Sequence, residues 1–329
     1  MNILDYLPKG ISTVEYHSEE DWLEERRKGI GGSDVGVVMG LNKYKSKRQL
    51  FVEKTTGQSK DLSGNTFVKK GKDLEDLIRN KYVVPYMKEL GYNVHTINEI
   101  LTHSEVPYIR ANLDAFAIPE NWKGNHLDNI VIEIKWVSEY ASVNWDGDDY
   151  FGIPASYYAQ VQAYMAVTGA SKAIVCALFD EDWTVKFYEI PANYDFRIKM
   201  LQEVKFFMEG HIQMNIAPMI NAELDKEIIV ESLKQPTTNT IQDEDMNELI
   251  MQYRDIKNSL KDLEKKASGI LSYITDRYLQ GYRPTSPLCK VSISVVHSTK
   301  FDSTRFKEEH PDMYKEYLTE SEYSRTTIK

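Results

Sequence analysis

Val131-Ile-Glu133-Ile-Lys135-Trp-Val137 is a short β-patterned run in which an acid and a lysine sit two residues apart. Alternation along a strand puts Glu133 and Lys135 on one face and Ile132, Ile134 and Trp136 on the other. Charged residues are poor choices for the middle of so apolar a strand unless chemistry there uses them. Asp114 lies nineteen residues before Glu133, inside a second apolar run, Tyr108-Ile-Arg-Ala-Asn-Leu-Asp-Ala-Phe-Ala-Ile118, which also reads as a strand.

An Asp followed by Glu-x-Lys on neighbouring strands suits metal-dependent phosphodiester cleavage. Two carboxylates can hold Mg²⁺ or Mn²⁺, hard cations that prefer oxygen and keep waters for a phosphate to displace. The metal polarises the scissile phosphate, and a nearby lysine orients or deprotonates the attacking water. Glu-x-Lys is by itself a common surface pattern, so the surrounding chain has to decide.

Working outward, Ser18 followed by acids caps a helix from Trp22 to about Lys28, and Gly29-Ile-Gly-Gly-Ser33 is a tight loop before a short buried helix starting at Ser33. Ser46 caps another helix that ends at Gly57, and Asp61–Asn65 is a polar loop. Helical spacing runs from Thr66 to Leu90 and stops at Gly91. Strands are expected over Asn93–Thr102, Tyr108–Ile118 and Ile130–Val137. Pro154 opens a helix to Gly169, strands Ala173–Phe179 and Thr184–Ile190 follow, and a helix from Tyr194 to Gly210 closes the compact part. This order describes an α/β core, a mixed central sheet flanked by helices.

Composition narrows the classes. The 329 residues suffice for one large domain plus an appendage, and there is neither a run of eighteen apolar residues nor a signal-like N-terminus. A cytoplasmic chain without membrane contact is the expectation. Cys176 and Cys289 fit no zinc or iron–sulfur spacing. The net charge of -10 opposes broad phosphate binding. Basic clusters at Arg26–Lys28, Lys43–Arg48 and Lys69–Lys72 nevertheless allow a basic groove in an acidic exterior.

The appendage reads differently. Residues 221–242, including Gln235-Pro-Thr-Thr-Asn-Thr240, are polar and read as a linker between a core over 1–220 and a C-terminal region over 243–329. In that region Leu249, Tyr253, Ile256, Leu260, Leu263, Ala267, Ile270 and Ile274 alternate at spacings of four and three, a coiled-coil-like or hairpin seam whose simplest partner is the chain itself. Cys289–Val296 is strand-like and Thr304–Tyr317 helical.

Five motifs occur in a telling order: Arg26-Arg-Lys-Gly-Ile-Gly-Gly-Ser-Asp34, Gly71-Lys-Asp-Leu-Glu75, Asn112-Leu-Asp114, Glu133-Ile-Lys135 and Tyr158-Ala-Gln160-Val-Gln-Ala-Tyr-Met-Ala-Val-Thr-Gly169. This set resembles the YqaJ-type viral recombinases, relatives of the phage lambda exonuclease within the restriction-endonuclease-like PD-(D/E)xK superfamily. The resemblance spans about Trp22 to Ile190. It departs from the superfamily pattern at Leu113, where the name has proline.

The resemblance implies a Mg²⁺-dependent exonuclease, with Mn²⁺ substituting, that digests linear double-stranded DNA from 5′-phosphorylated ends and leaves 3′ single-stranded tails. It implies metal binding by Asp114, Glu133 and the Ile134 carbonyl, a water-directed role for Lys135, support from Glu75 and Gln160, and capture of the 5′-phosphate by Arg26 and Ser33. Arg27 is an adjacent rival to Arg26. A trimeric ring and a single-strand annealing partner, in a phage or prophage setting within the bacterial cytoplasm, are implied in the same way. Two other readings stand beside it, a different endonuclease of the superfamily and a non-catalytic DNA-end-binding protein. Asp128, Asp146, Asp148 and Asp149 read as loop acids.

Overall fold

A computed structural model describes residues 3–57, 66–234, 242–286 and 289–328. The polar loop expected at Asp61–Asn65 and the Gln235–Thr240 stretch lie outside them. The chain divides into two compact units, one up to Asp225 and one from Lys226.

Strands of the first unit are β1 (Ser12–Val14), β2 (Ile30–Gly31), β3 (Tyr92–His95), β4 (Ile100–Thr102), β5 (Ile109–Ala111), β6 (Ala115–Pro119), β7 (Ile130–Val137), β8 (Lys172–Phe179) and β9 (Val185–Pro191). Its helices are α1 (Glu19–Arg27), α2 (Gly32–Val38), α3 (Lys47–Thr56), α4 (Thr66–Ile78), α5 (Val84–Glu89), α6 (Glu139–Ser142), α7 (Ala155–Thr168) and α8 (Tyr194–Phe206). The large sheet runs β3-β6-β7-β8-β9, with β7 and β8 parallel and the other neighbours antiparallel. A smaller sheet runs β1-β4-β5-β2. The expected mixed sheet flanked by helices is therefore present.

Alternation along β7 assigns its two faces. Ile130, Ile132 and Ile134 pack with Ile78, Val83 and Met87 of the α4–α5 segment, whereas Val131 and Val137 join the core that contains Tyr158, Val161 and Met165 of α7. Burial of one such aliphatic side chain contributes about 1.5–3 kcal/mol, so both faces are locked and a one-residue slip of β7 is excluded. Glu133 and Lys135 consequently project toward the α7 side.

Local signals fix the helices. Ser18 Oγ accepts from Asp21 N at 3.0 Å, Ser46 forms a full capping box with Gln49, and Gly57 and Gly169 end their helices with φ +73 and +73°. Two expectations are corrected here. The helix over 66–90 is interrupted by a π-turn at Arg79–Val83, just before Pro85, whose missing N–H cannot continue the α ladder. The two long strands each split between sheets, 93–102 into β3 and β4 and 108–118 into β5 and β6, because the chain crosses from the small sheet to the large one at residues 112–114.

The expected linker is corrected as well. Asn221 Oδ1 accepts from the N–H groups of Glu223 and Leu224 at 3.0 and 3.0 Å, and buried Asp225 accepts from Ser46 and from Asn221 N, so these polar residues tie a turn onto the first unit. Residues Lys226–Lys234 then form helix α9. The second unit continues with α10 (Glu244–Leu279), α11 (Ser303–Glu309) and α12 (Pro311–Glu316). Cys289–Val296, expected as a strand, is irregular: among the described residues of its unit no strand offers it a ladder. No helix of the described residues is long and apolar enough to cross a membrane.

The close approach of α2 to α7 depends on glycine. A Cβ at Gly32 would lie 2.3 Å from Cε1 of Tyr164, whose ring is buried. Gly32→Ala is expected to cost about 1–3 kcal/mol through overpacking, read as a lower urea midpoint with an unchanged slope.

Candidate active site

β6 and β7 are paired with Ala115 opposite Ile132, which sets Asp114, one residue before β6, across from Glu133. Asp114 Oδ2 accepts from the Ile134 N–H at 2.7 Å, so the carboxylate is fixed by the backbone of the strand it faces. Glu133 is completely buried. Its Oε1 accepts from Lys135 Nζ and, at 2.7 Å, from Gln160 Nε2 on α7, while its Oε2 is buried with no hydrogen-bond partner. Gln160 Nε2 also donates to the Tyr164 hydroxyl at 3.0 Å, which orients the amide from the next turn of the helix.

The electrostatics follow from burial. Loss of water pushes the Glu133 carboxyl up, Asp114 pushes it further, and Lys135 only partly offsets them, leaving it at about 8. Burial likewise raises Asp114, against the pull of Lys135 and the Ile134 N–H. Burial alone would lower Lys135, but Glu133 and Asp114 outweigh it and keep the ammonium charged. Glu75, on α4, is raised by burial and by Asp114, so it feels the same cluster. Its Oε1 accepts from Arg79 at 2.7 Å, an i,i+4 pair on the helix surface.

A single cavity of about 180 Å³ is lined by both ends of this constellation. Asp114, Glu133, Lys135 and Gln160 stand at one end, and Trp22, Arg26 and Ser33 at the other. Ser33 does not cap its helix as its position suggests; Gly31 is the N-cap, and Ser33 Oγ instead accepts from Arg26 at 2.6 Å. The Arg26 guanidinium lies over the Trp22 ring at 5.1 Å, whereas Arg27 lies against Gly57. Geometry thus separates the two arginines.

Residues 21–171 match the family described as the YqaJ-like viral recombinase domain. This segment is similar to the YqaJ-like viral recombinase domains. Across 321 residues, 95% of this chain and 94% of the relative, the sequence is 28% identical to the uncharacterized protein YqaJ of Bacillus subtilis (strain 168). Among solved structures, the alkaline exonuclease LHK-Exo from Laribacter hongkongensis is similar with 21% identity and a TM-score of 0.47, covering 60% of this chain and 94% of that one. A phage-related exonuclease from Haemophilus somnus 129PT is similar with 13% identity and a TM-score of 0.38, covering 59% and 99%.

The YqaJ-like domain brings together Arg26, Ser33, Asp114, Glu133, Lys135 and Gln160 in one cavity and sets Glu75 at its electrostatic margin. It separates Gln162, which donates to Pro191 O and accepts from Asn193 N and Arg197 Nε as a clamp in the core. Asp146 is engaged by Lys186 and Tyr188, and Asp128 by Asn125. None of the four candidate loop acids lines the cavity.

Three further residues support the site: Asn112 and Asp34 stand inside the five sequence motifs, and Arg110 stands outside them. Arg110 and Asn112 alternate with Asp114 along the crossing between sheets and line the same cavity, with Arg110 Nε and Asn112 Oδ1 buried and unpartnered. For Arg110, period-two spacing before Asp114 is the one available hint. Asp34 lies beneath Arg26: burial pushes its carboxyl up, but Lys54, Arg26 and Lys45 outweigh that and hold it down at about 2. Lys54 Nζ, 2.9 Å from Asp34 Oδ2, also donates to Arg26 O at 2.9 Å, so this buried pair anchors the backbone that carries Arg26.

A pH dependence follows. Asp114 and Glu133 are raised in the fold, so their contribution favours folding below their ordinary range and is lost as pH climbs through the folded values. The protein is expected to lose thermal stability as pH rises from about 4.5 to about 8, the interval between the ordinary and the folded value of Glu133. Asp114→Asn should flatten that curve; parallel Tm–pH curves for wild type and variant would contradict the assignment.

Proposed function

We propose that this chain is a Mg²⁺-dependent exonuclease that degrades linear double-stranded DNA from 5′-phosphorylated ends and leaves 3′ single-stranded tails for recombination by strand annealing. The observation that carries the reading is the shared cavity, which joins the carboxylate pair and Lys135 to an arginine–serine pair suited to a terminal phosphate. Its 180 Å³ equals roughly six waters of liquid, room for a phosphate and its hydration but not for a duplex. The match of residues 21–171 to the YqaJ-like viral recombinase domain points the same way.

The residues fit a hard divalent cation. Asp114, Glu133 and the Ile134 carbonyl are oxygen donors, and the buried, unpartnered Glu133 Oε2 beside a second carboxylate is an arrangement that a cation would relieve. Such a cation supplies Lewis-acid charge at the scissile phosphate.

The remaining work belongs to the chain. Gln160 fixes Glu133, and Tyr164 fixes Gln160. Lys135, charged between two carboxylates, acts by donating to the attacking water and orienting it rather than by taking its proton. Arg26, stacked on Trp22 and hydrogen-bonded to Ser33, offers charge and directed N–H groups to a 5′-phosphate. Glu75 supports the cluster from α4. In the same reading, and on the resemblance alone, the chain works as a trimeric ring with a single-strand annealing protein in the host cytoplasm.

Linear duplex labelled at either end tests this. With Mg²⁺, the 5′ label should be released early as mononucleotide while the 3′ label persists, and closed circular duplex should stay intact. Glu133→Ala and Lys135→Ala should each reduce the rate by about 10²-fold or more. Early release from the 3′ label, cleavage of closed circles, or full activity in both variants would sink the proposal. Arg26→Ala should abolish the preference for a 5′-phosphate over a 5′-hydroxyl with metal binding retained; wild type lacking that preference would remove the phosphate role.

A further inference from the structure

Helix α10 carries an apolar stripe that its own unit leaves bare. Its 36 residues keep the heptad alternation from Met246 to Ile274, yet Ile256, Leu263 and Ile270 are 66%, 60% and 62% exposed. A seam of this length, about 42 Å at helical rise, is stabilised by a facing helix rather than by propensity. We propose that it pairs with the same helix of a second copy of the chain, as an antiparallel two-stranded coiled coil.

Charge sets the direction. Residues 244–256 carry four acids against one arginine, whereas residues 257–279 carry five basic residues against three acids. Antiparallel pairing moves the acidic residues 244–256 off one another, onto the near-neutral stretch 267–279 of the other copy, and opposes the two helix dipoles; parallel pairing lays the acidic residues on each other and aligns the dipoles.

Packing sets the register. With the two-fold axis midway between Leu260 and Leu263, Leu260 faces Leu263 of the second copy and Ile256 faces its Ala267, a large residue on a small one. The outer layers continue to Leu249 against Ile274 of the second copy. A parallel in-register pair would put Ala267 on Ala267 and leave a gap in the seam. The same antiparallel register puts Lys257 beside Glu264 of the second copy, and two-fold symmetry repeats that contact. This self-complementarity selects a second copy over an unlike partner, and it does not depend on how the YqaJ-like domains assemble.

The test uses the full chain with Cys289→Ser, because Cys289 is exposed and Cys176 buried. Under mild oxidation, Ile256→Cys combined with Ala267→Cys in one chain should give a covalent dimer on a non-reducing gel, and neither single variant should. Cross-linking of Ile256→Cys alone would mean parallel helices, and no dimer in the double variant would leave the seam to another surface; either result overturns the proposal. Sedimentation provides the second measurement. Lys257→Glu and Glu264→Lys should each weaken association roughly tenfold, and the double swap should restore it. Association indifferent to all three variants would overturn the pairing as well.

Discussion

Everything in the site depends on two carboxylates set side by side, Glu133 fully buried and Asp114 half-buried. Asp114 and Glu133 face each other across β6 and β7, and removing them from water is costly unless their oxygens find partners. The chain provides some but not all: the Ile134 N–H for Asp114, Lys135 and Gln160 for one oxygen of Glu133, and nothing for the other. That deficit leaves one buried oxygen of Glu133 uncompensated by the chain. The close packing of α7 matters here, since α7 delivers Gln160 to Glu133, whereas Lys135 comes from β7 itself.

The packing around the pair is correspondingly exact. β7 is clamped on both faces, by Ile130, Ile132 and Ile134 on one side and Val131 and Val137 on the other, so the Glu-x-Lys pair cannot rotate away. Gly32 lets Tyr164 come within contact of α2, and Tyr164 in turn steers Gln160. The Arg26–Ser33 end is anchored separately, by the buried Asp34–Lys54 pair whose lysine also grips the Arg26 carbonyl. Breaking one partner of such a pair typically costs about 3–5 kcal/mol, which marks it as a structural support for the cavity.

The second unit follows another logic. Its long helix is amphipathic but uncovered within the unit, and the irregular 289–296 segment shows that a β-like pattern does nothing without a neighbouring edge. Burial of its apolar stripe therefore has to come from outside the unit, and the distribution of charge along the helix favours its own antiparallel copy.

What the sequence determined by itself are features set by short-range physics. β7 at 130–137, the caps at Ser18 and Ser46, the glycine stops at 57 and 169, and the motif order from Arg26 to Gln160 all depend on alternation, capping or backbone freedom within a few residues. Tertiary structure decided what depends on distant partners. The split of 93–102 and 108–118 between two sheets, the placing of Arg26 but not Arg27 in the cavity wall, the diversion of Ser33 from capping, the opposite fates of Gln160 and Gln162, and the entry of Arg110 and Asn112 into the cavity all depend on how the elements pack. The physical reason is that hydrogen-bond geometry and desolvation act over a few ångströms in space, wherever along the chain the partner comes from.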